Sequence, residues 1–288
     1  MVTIFRYAMR RSRGQVLGWG IGMALLGWMM VSVYDSLAGQ EEALIDLVSV
    51  YPKELMAFFG SAEGMTSMFT PEGFLSLEFL SLAPVILGIY SVLMGSGLLV
   101  SDEEKGTLDL ILAHPVTRTS LLGGRACAFA AATAGILAII WLGFMAAMTR
   151  SSMEIGGLEL LRPLLSLFAV LLLFGALALF LSMLLPSRRL AATVSGLLLV
   201  ASYFVTSLAR INENLEQIAR FSPLNYYQSE KAFQHFNVQW LSGLLGVALL
   251  FVAVAWWSFQ RRDIRVGGEG GWQVPKLVRR WRAARTQG

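Results

Sequence analysis

The stretch Ser101-Asp102-Glu103-Glu104-Lys105-Gly106-Thr107-Leu108-Asp109-Leu110-Ile111-Leu112-Ala113-His114-Pro115-Val116-Thr117-Arg118 is the most distinctive in the chain. Its chemistry is recognition rather than bond making. Thr107 through Ala113 can form a short helix with Leu108, Ile111 and Leu112 on one face, and Pro115 ends it by disfavouring helical geometry at the residue before. An exposed apolar helix of this kind calls for a groove to receive it.

Groups that could make or break bonds are scarce. His114 and His235 are the two histidines, and neither lies in a His-Glu-x-x-His pattern; no Gly-x-Ser-x-Gly elbow is present either. A membrane enzyme therefore finds no catalytic residue here. The single Cys127 excludes an internal disulfide framework and a Cys-rich metal site, and reads as a helix-packing residue. The phosphate loop Gly-x-x-x-x-Gly-Lys-Ser/Thr is missing, so this chain does not bind and hydrolyse ATP by that route. No catalytic, cofactor or metal residue is assigned.

The elements that position the 101–118 stretch follow from composition. Residues are 56% hydrophobic and 15% charged, against about a quarter charged in a soluble domain. Six uncharged runs approach the ~20 residues a helix needs to cross the hydrocarbon core, at about 15–34, 79–100, 126–149, 163–187, 190–209 and 240–259. These runs lack the short alternation of barrel strands, and inside lipid only helices or closed barrels satisfy their backbone. The expected fold class is an all-α integral membrane protein. It has a cytoplasmic amphipathic helix at 1–14, a transmembrane region at 15–260 and a basic cytoplasmic tail at 261–288.

Seventeen of the 23 Lys and Arg residues fall on the side of the two termini and six on the other, which puts both termini in the cytoplasm of a multi-pass cell-membrane protein. The charge asymmetry is topology; no nucleic-acid motif is present. Ser36-Leu37-Ala38 would suit cleavage of a signal peptide, yet the preceding run is longer than a signal h-region, and an uncleaved first helix is expected.

Outside the spans, Leu44, Leu47, Val48, Tyr51, Leu55, Phe58 and Phe59 describe an external amphipathic helix within the acidic segment 35–78. Segment 210–239, with Ser222-Pro223-Leu224-Asn225-Tyr226-Tyr227, reads as a short surface helix and turn. Basic residues with Trp272 and Trp281 after a glycine hinge suit an anionic inner leaflet, or a tail that only enforces topology. Gly14, Gly18 and Gly22 permit close helix approach, either to a second copy or within the chain. Pro84 reads as a kink and Pro163 as a helix start.

The 101–118 stretch resembles the permease subunits of ABC exporters of the type 2 class. Their corresponding junction reads as an acidic pair, Gly-Thr-Leu, an acidic residue, a Leu-rich turn and Pro-Val-Ser/Thr-Arg, matched here by Glu103, Glu104, Gly106, Thr107, Leu108, Asp109, Pro115, Val116, Thr117 and Arg118. Span number, the cytoplasmic N-terminal helix, Thr70-Pro71-Glu72-Gly73-Phe74 and the Ser222-Pro223 turn extend the resemblance over nearly the whole chain.

The resemblance implies that the junction is a coupling helix docking on a nucleotide-binding ATPase subunit. Leu108, Leu110, Ile111 and Leu112 would supply contact area, and Glu103, Glu104 and Arg118 would orient it. It further implies two ATPase subunits that carry ATP and Mg, and two permeases forming a homodimer. The second and fifth spans would border the cavity, where Tyr90, Ser91, Ser96, Tyr203 and Thr206 either line a translocation path or bond to their own backbone. The expected function is export of an amphipathic or lipid-like substrate, such as a drug, antibiotic or peptide. The alternative is a secondary transporter or channel working without an ATPase, which the lack of intramembrane charge disfavours.

Overall fold

The computed structural model describes residues 1–37, 70–104, 106–108, 113 and 116–261. Every long element among them is a helix, and no strand occurs. Six stretches are long and apolar enough to cross a membrane: Val2–Leu37, Pro71–Gly97, Arg118–Met148, Gly157–Leu184, Arg188–Ala209 and Val238–Arg261. The predicted helix within 44–59 and the tail beyond Arg261 lie outside the described residues.

Helix α1, Val2–Leu37, is one unbroken helix of 36 residues. At 1.5 Å per residue it is roughly 54 Å long and exceeds the ~30 Å hydrocarbon core. Residues 2–14, where a cytoplasmic amphipathic helix feeding the first span is expected, run into that span without a break. The Ser12 hydroxyl donates to the Ala8 and Met9 carbonyls of the preceding turn, both at 3.1 Å.

The second span starts earlier than the uncharged run suggests. Thr70 caps α2 (Pro71–Leu75), its Oγ1 accepting from Gly73 N–H at 3.1 Å. A π-helical segment, Ser76–Leu80, then leads to α3, Ala83–Gly97. Pro84 stands in the first turn of α3, just after the break at 81–82 that interrupts the span Pro71–Gly97, which fits the kink expected there; its missing N–H leaves the Leu80 carbonyl to accept from Tyr227. A short α4, Val100–Glu104, follows.

Helix α5, Arg118–Met148, begins at the cap Thr117, whose Oγ1 accepts from Ser120 N–H at 3.2 Å. In α6, Gly157–Leu184, Pro163 lies inside the helix rather than at its start. The start is set upstream, where Glu159 Oε2 accepts from Gly156 N–H at 3.0 Å. Ser187 caps α7, Arg188–Ala209. The connection to the last span carries α8 (Glu216–Ala219), a 3-10 turn at Pro223–Tyr226 and α9 (Lys231–Gln234) before α10, Val238–Arg261.

Lipid is as apolar as leucine, so burial of apolar side chains does not by itself drive these helices together; close packing and hydrogen bonds do. The sequence supplies small residues where helices touch. A Cβ at Gly95 would lie 2.1 Å from the Gly175 carbonyl oxygen, so α3 and α6 meet backbone to backbone. On α1, Gly20 receives Ile139 and Gly27 receives the Phe144 ring of α5, which in turn meets Phe79 edge-on at 4.9 Å. Helix α6 is the hub, touching α3, α5, α7 and α10, and is 67% buried over its most apolar stretch against 17% for α10.

At the end away from residue 1, polar bonds fasten the connections. Asp35 Oδ1 accepts from Ser151 Oγ, Ser152 N–H and Ser152 Oγ at 2.7–2.8 Å. Gln228 brackets Asn237 through both its amide atoms and donates its own N–H to Ser166 Oγ.

Candidate functional site

The acidic pair that opens the recognition stretch belongs to α4, which continues the second span after a two-residue offset. Its termination is a Schellman pattern: Thr107 N–H donates to the Asp102 carbonyl at 2.9 Å and Gly106 N–H to the Glu103 carbonyl at 3.0 Å. Gly106 occupies the left-handed position with φ 65°, which a glycine adopts without a Cβ penalty. The chain therefore reverses within three residues of Glu104.

The reversal brings Leu108 inward. It is 2% exposed and packs in a cluster with Leu99, Val100, Leu121, Leu122, Met183 and Phe259. Its apolar surface is spent inside this chain, and it anchors the base of the stretch. Leu110, Ile111 and Leu112 lie outside the described residues.

Asp102 is the electrostatic centre of this end. Arg125 Nη2 donates to its Oδ2 at 2.5 Å, and Arg11 Nη1 lies 3.4 Å from its Oδ1. Asp102 is 5% exposed and Arg125 8%. Arg125 Nη1 also donates to the Leu98 carbonyl at 2.6 Å, which lies just past the end of α3. One carboxylate so joins α1, α4 and α5. A buried guanidinium is tolerable here because its charge is matched and its planar donors reach both a carboxylate and a carbonyl.

The remaining charges tie the stretch to the other spans. Glu104 Oε1 accepts from Arg188 N–H at 3.0 Å, at the start of α7, where a negative charge complements the helix dipole. Glu103 is buried beside it. Arg118 Nη1 donates to the Phe259 carbonyl at 2.8 Å and its guanidinium sits 5.5 Å from the Phe259 ring centroid. Thr119 Oγ1 accepts from Trp256 Nε1 and Gln260 Nε2. The start of the third span is thereby fastened to the end of the last. Glu104 and Arg118 both hold their own chain, and Thr107 donates its hydroxyl to the Asp102 carbonyl at 3.2 Å.

Asp102, Arg125, Arg11 and Arg188 escape a reading by motif. Arg125 had a usable signal, since it stands immediately before an uncharged run, where an inward-facing arginine requires a partner. A cavity of about 270 Å³ opens beside this cluster, between α1, α3 and the start of α7.

The hydroxyl residues of the second and fifth spans are largely turned into packing. Ser91 donates to the Leu171 carbonyl, and Ser96 to the Leu93 carbonyl of its own helix at 3.2 Å. The Tyr90 ring is buried between Trp19 and Phe129. Thr206 Oγ1 lies 2.8 Å from Ser222 Oγ, which also sits 2.5 Å from Ser202 Oγ, so the Ser222-Pro223 turn is pinned to α7. Of the five, Tyr203 and Thr206 share a cavity, a small one of about 30 Å³ near Arg210. Burial pulls the Arg210 guanidinium below its ordinary range, opposed by Tyr203 and Glu230.

The sequence model of a family described as "ABC-2 family transporter protein" matches residues 2–264 of this chain. No curated protein matches it.

Proposed function

The chain belongs to the ABC-2 family of transporter proteins, and from that premise we propose that it is the permease half of an ATP-driven exporter whose ATPase is a separate chain. The observation that carries the reading is the family match over almost the whole length, 2–264, in a chain without a phosphate loop. Two ATPase subunits dock on a permease homodimer in the cell membrane, with both termini of each permease in the cytoplasm. ATP and Mg reside on the ATPase.

The docking element is the 103–118 stretch. Its base is fixed by Leu108 in the core, by Glu104 on α7 and by Arg118 on α10. Leu110, Ile111 and Leu112 supply the contact area. Because Asp102 is bonded to Arg125 and Arg11, a displacement of the docked stretch is delivered to α4, α5 and α1 together. Nucleotide then shifts the permease between inward and outward states through its different affinity for the two. The uncharged spans favour an amphipathic or lipid-like substrate.

The experiment is affinity purification of the chain from its native membrane in mild detergent, with an ATPase assay of the recovered complex. A soluble subunit bearing a phosphate loop, present in stoichiometric amount and lost from Leu110→Asp/Leu112→Asp, is the expected result. Recovery of the chain alone, still competent for transport, overturns the reading in favour of a self-sufficient transporter or channel.

A further inference from the structure

Arg188, the first residue of α7, is held from both sides of the break that ends the second span. Its backbone N–H donates to Glu104 Oε1 of α4 at 3.0 Å. Its guanidinium reaches back past the break and donates to the Leu93 carbonyl of α3, also at 3.0 Å. Gly97 makes room for that reach, since a Cβ there would come within 2.9 Å of Arg188 Cζ. One residue of the fifth span thus straddles the joint between α3 and α4.

The joint has a physical cause. In a continuous helix the Leu98 carbonyl would accept from Asp102 N–H. Here Asp102 N–H donates to the Leu99 carbonyl at 3.2 Å, and Arg125 Nη1 takes the Leu98 carbonyl at 2.6 Å. A side chain inserted into the ladder in this way bends a helix. The backbone bonds around it are long, with Leu98 N–H 3.3 Å from the Gly95 carbonyl and Glu103 N–H 3.4 Å from the Leu99 carbonyl. Beyond the joint α4 is five residues long, and Asp102 and Glu104, two positions apart, point to nearly opposite sides. Asp102 bonds to α5 and α1, and Glu104 to the start of α7.

We propose that α4 rocks on the joint at Leu98 and Leu99, and that Glu104 is the positioning residue that passes this movement to the fifth span by holding the N–H of Arg188. The proposal rests on the permease reading, because nucleotide supplies the displacement. The two bonds to Arg188 are unequal as links. A guanidinium stands on a stem of rotatable bonds that takes up a change in distance, whereas the backbone N–H is part of α7 itself. The Glu104 carboxylate also complements the positive end of the α7 dipole, so the attraction persists as α4 tilts. The start of α7 therefore follows α4 rather than α3.

The test is hydrogen exchange, read by mass spectrometry on the full chain with its co-purifying subunits in nanodiscs, with and without ATP plus vanadate. In the wild type, trapped nucleotide is expected to change exchange at α4 and in the first turns of α7 together. Glu104→Ala should keep the change at α4 and reduce it about fivefold at α7. Arg188→Pro removes the N–H at a first helical position that tolerates proline, after a Ser187 that is already extended at φ −142°, ψ 150°. It should match Glu104→Ala, with no further loss when the two are combined. Arg188→Ala keeps the N–H and should keep the response; these two variants decide the matter if Glu104→Ala does not fold. A cap with a merely structural role would raise exchange at α7 equally in both nucleotide conditions, and that result overturns the proposal. So does Arg188→Ala losing the response as Arg188→Pro does. Loss of the ATPase subunit from Glu104→Ala overturns it as well, since Glu104 then docks on the partner. A wild type that brings no ATPase with it overturns the permease reading itself, whereas the variant results, read on an intact complex, overturn this inference alone.

Discussion

Arg125 Nη2 and Asp102 Oδ2 are paired at 2.5 Å, both side chains buried, across the junction between the start of the third span and the short helix that ends the second. The pair sits where a charge is hardest to place, beside six apolar spans. It lets a polar junction be rigid.

Removing Arg125 leaves the buried Asp102 carboxylate with only the more distant, half-exposed Arg11 at 3.4 Å. Arg125→Ala is expected to destabilise the protein by about 3 kcal/mol, whereas Asp102→Asn/Arg125→Gln recovers a large part of the loss because no net charge is stranded. Thermal unfolding in detergent reads both. Equal stability of single and double variants would show that the charges do not interact.

Gly106 is a backbone requirement. Its φ of 65° is left-handed, and nothing lies within 4 Å of a Cβ built there, so the cost of a side chain is conformational rather than steric. Gly106→Ala should lose about 1 kcal/mol, and Gly106→Asn less, because asparagine tolerates this region. The comparison of the two unfolding midpoints checks the assignment; identical losses would contradict it.

Gly95 is a packing requirement of the opposite kind. A methyl group at this position would meet the Gly175 carbonyl at 2.1 Å, and backbone cannot move aside as a side chain can. Gly95→Ala is expected to cost about 3 kcal/mol or more, while Gly18→Ala and Gly22→Ala, with open space, stay within about 0.5 kcal/mol. If the outer pair lowers dimer yield while folding is intact, those glycines touch a second copy.

Tyr227 gives a pH signature. Its hydroxyl donates to the Leu80 carbonyl at 3.0 Å, at the π-helical interruption of the second span, and burial pushes the phenol above its ordinary range. A raised folded value means its contribution is whole below the unfolded value near pH 10 and is lost as pH rises beyond it. Tyr227→Phe should lose about 1 kcal/mol at neutral pH and show a shallower alkaline decline. Parallel stability–pH curves above about pH 10 would contradict this assignment.

What the sequence by itself determined is the set of properties that follow from local composition. Six uncharged runs specify helices because lipid leaves the backbone no other partner, and their number and place survive in the folded chain. The stretch from Asp102 to Arg118 announced itself through residue types, and Thr117, Thr70 and Gly106 wrote helix boundaries in side chains that act on neighbours a few residues away. Pro163 misled because one proline cannot outweigh the capping contact between Gly156 and Glu159 upstream.

Only the tertiary structure decided which of those residues face inward. Leu108 looked like a docking residue by spacing, yet the turn at Gly106 sends it into the core. Arg11, Asp102 and Arg125 lie far apart in sequence and meet because α1 packs on α5 while α4 extends the second span. Arg188 reaches the same cavity from the fifth span. Charge pairing and cavity formation depend on separation in space, which periodicity along one chain does not encode.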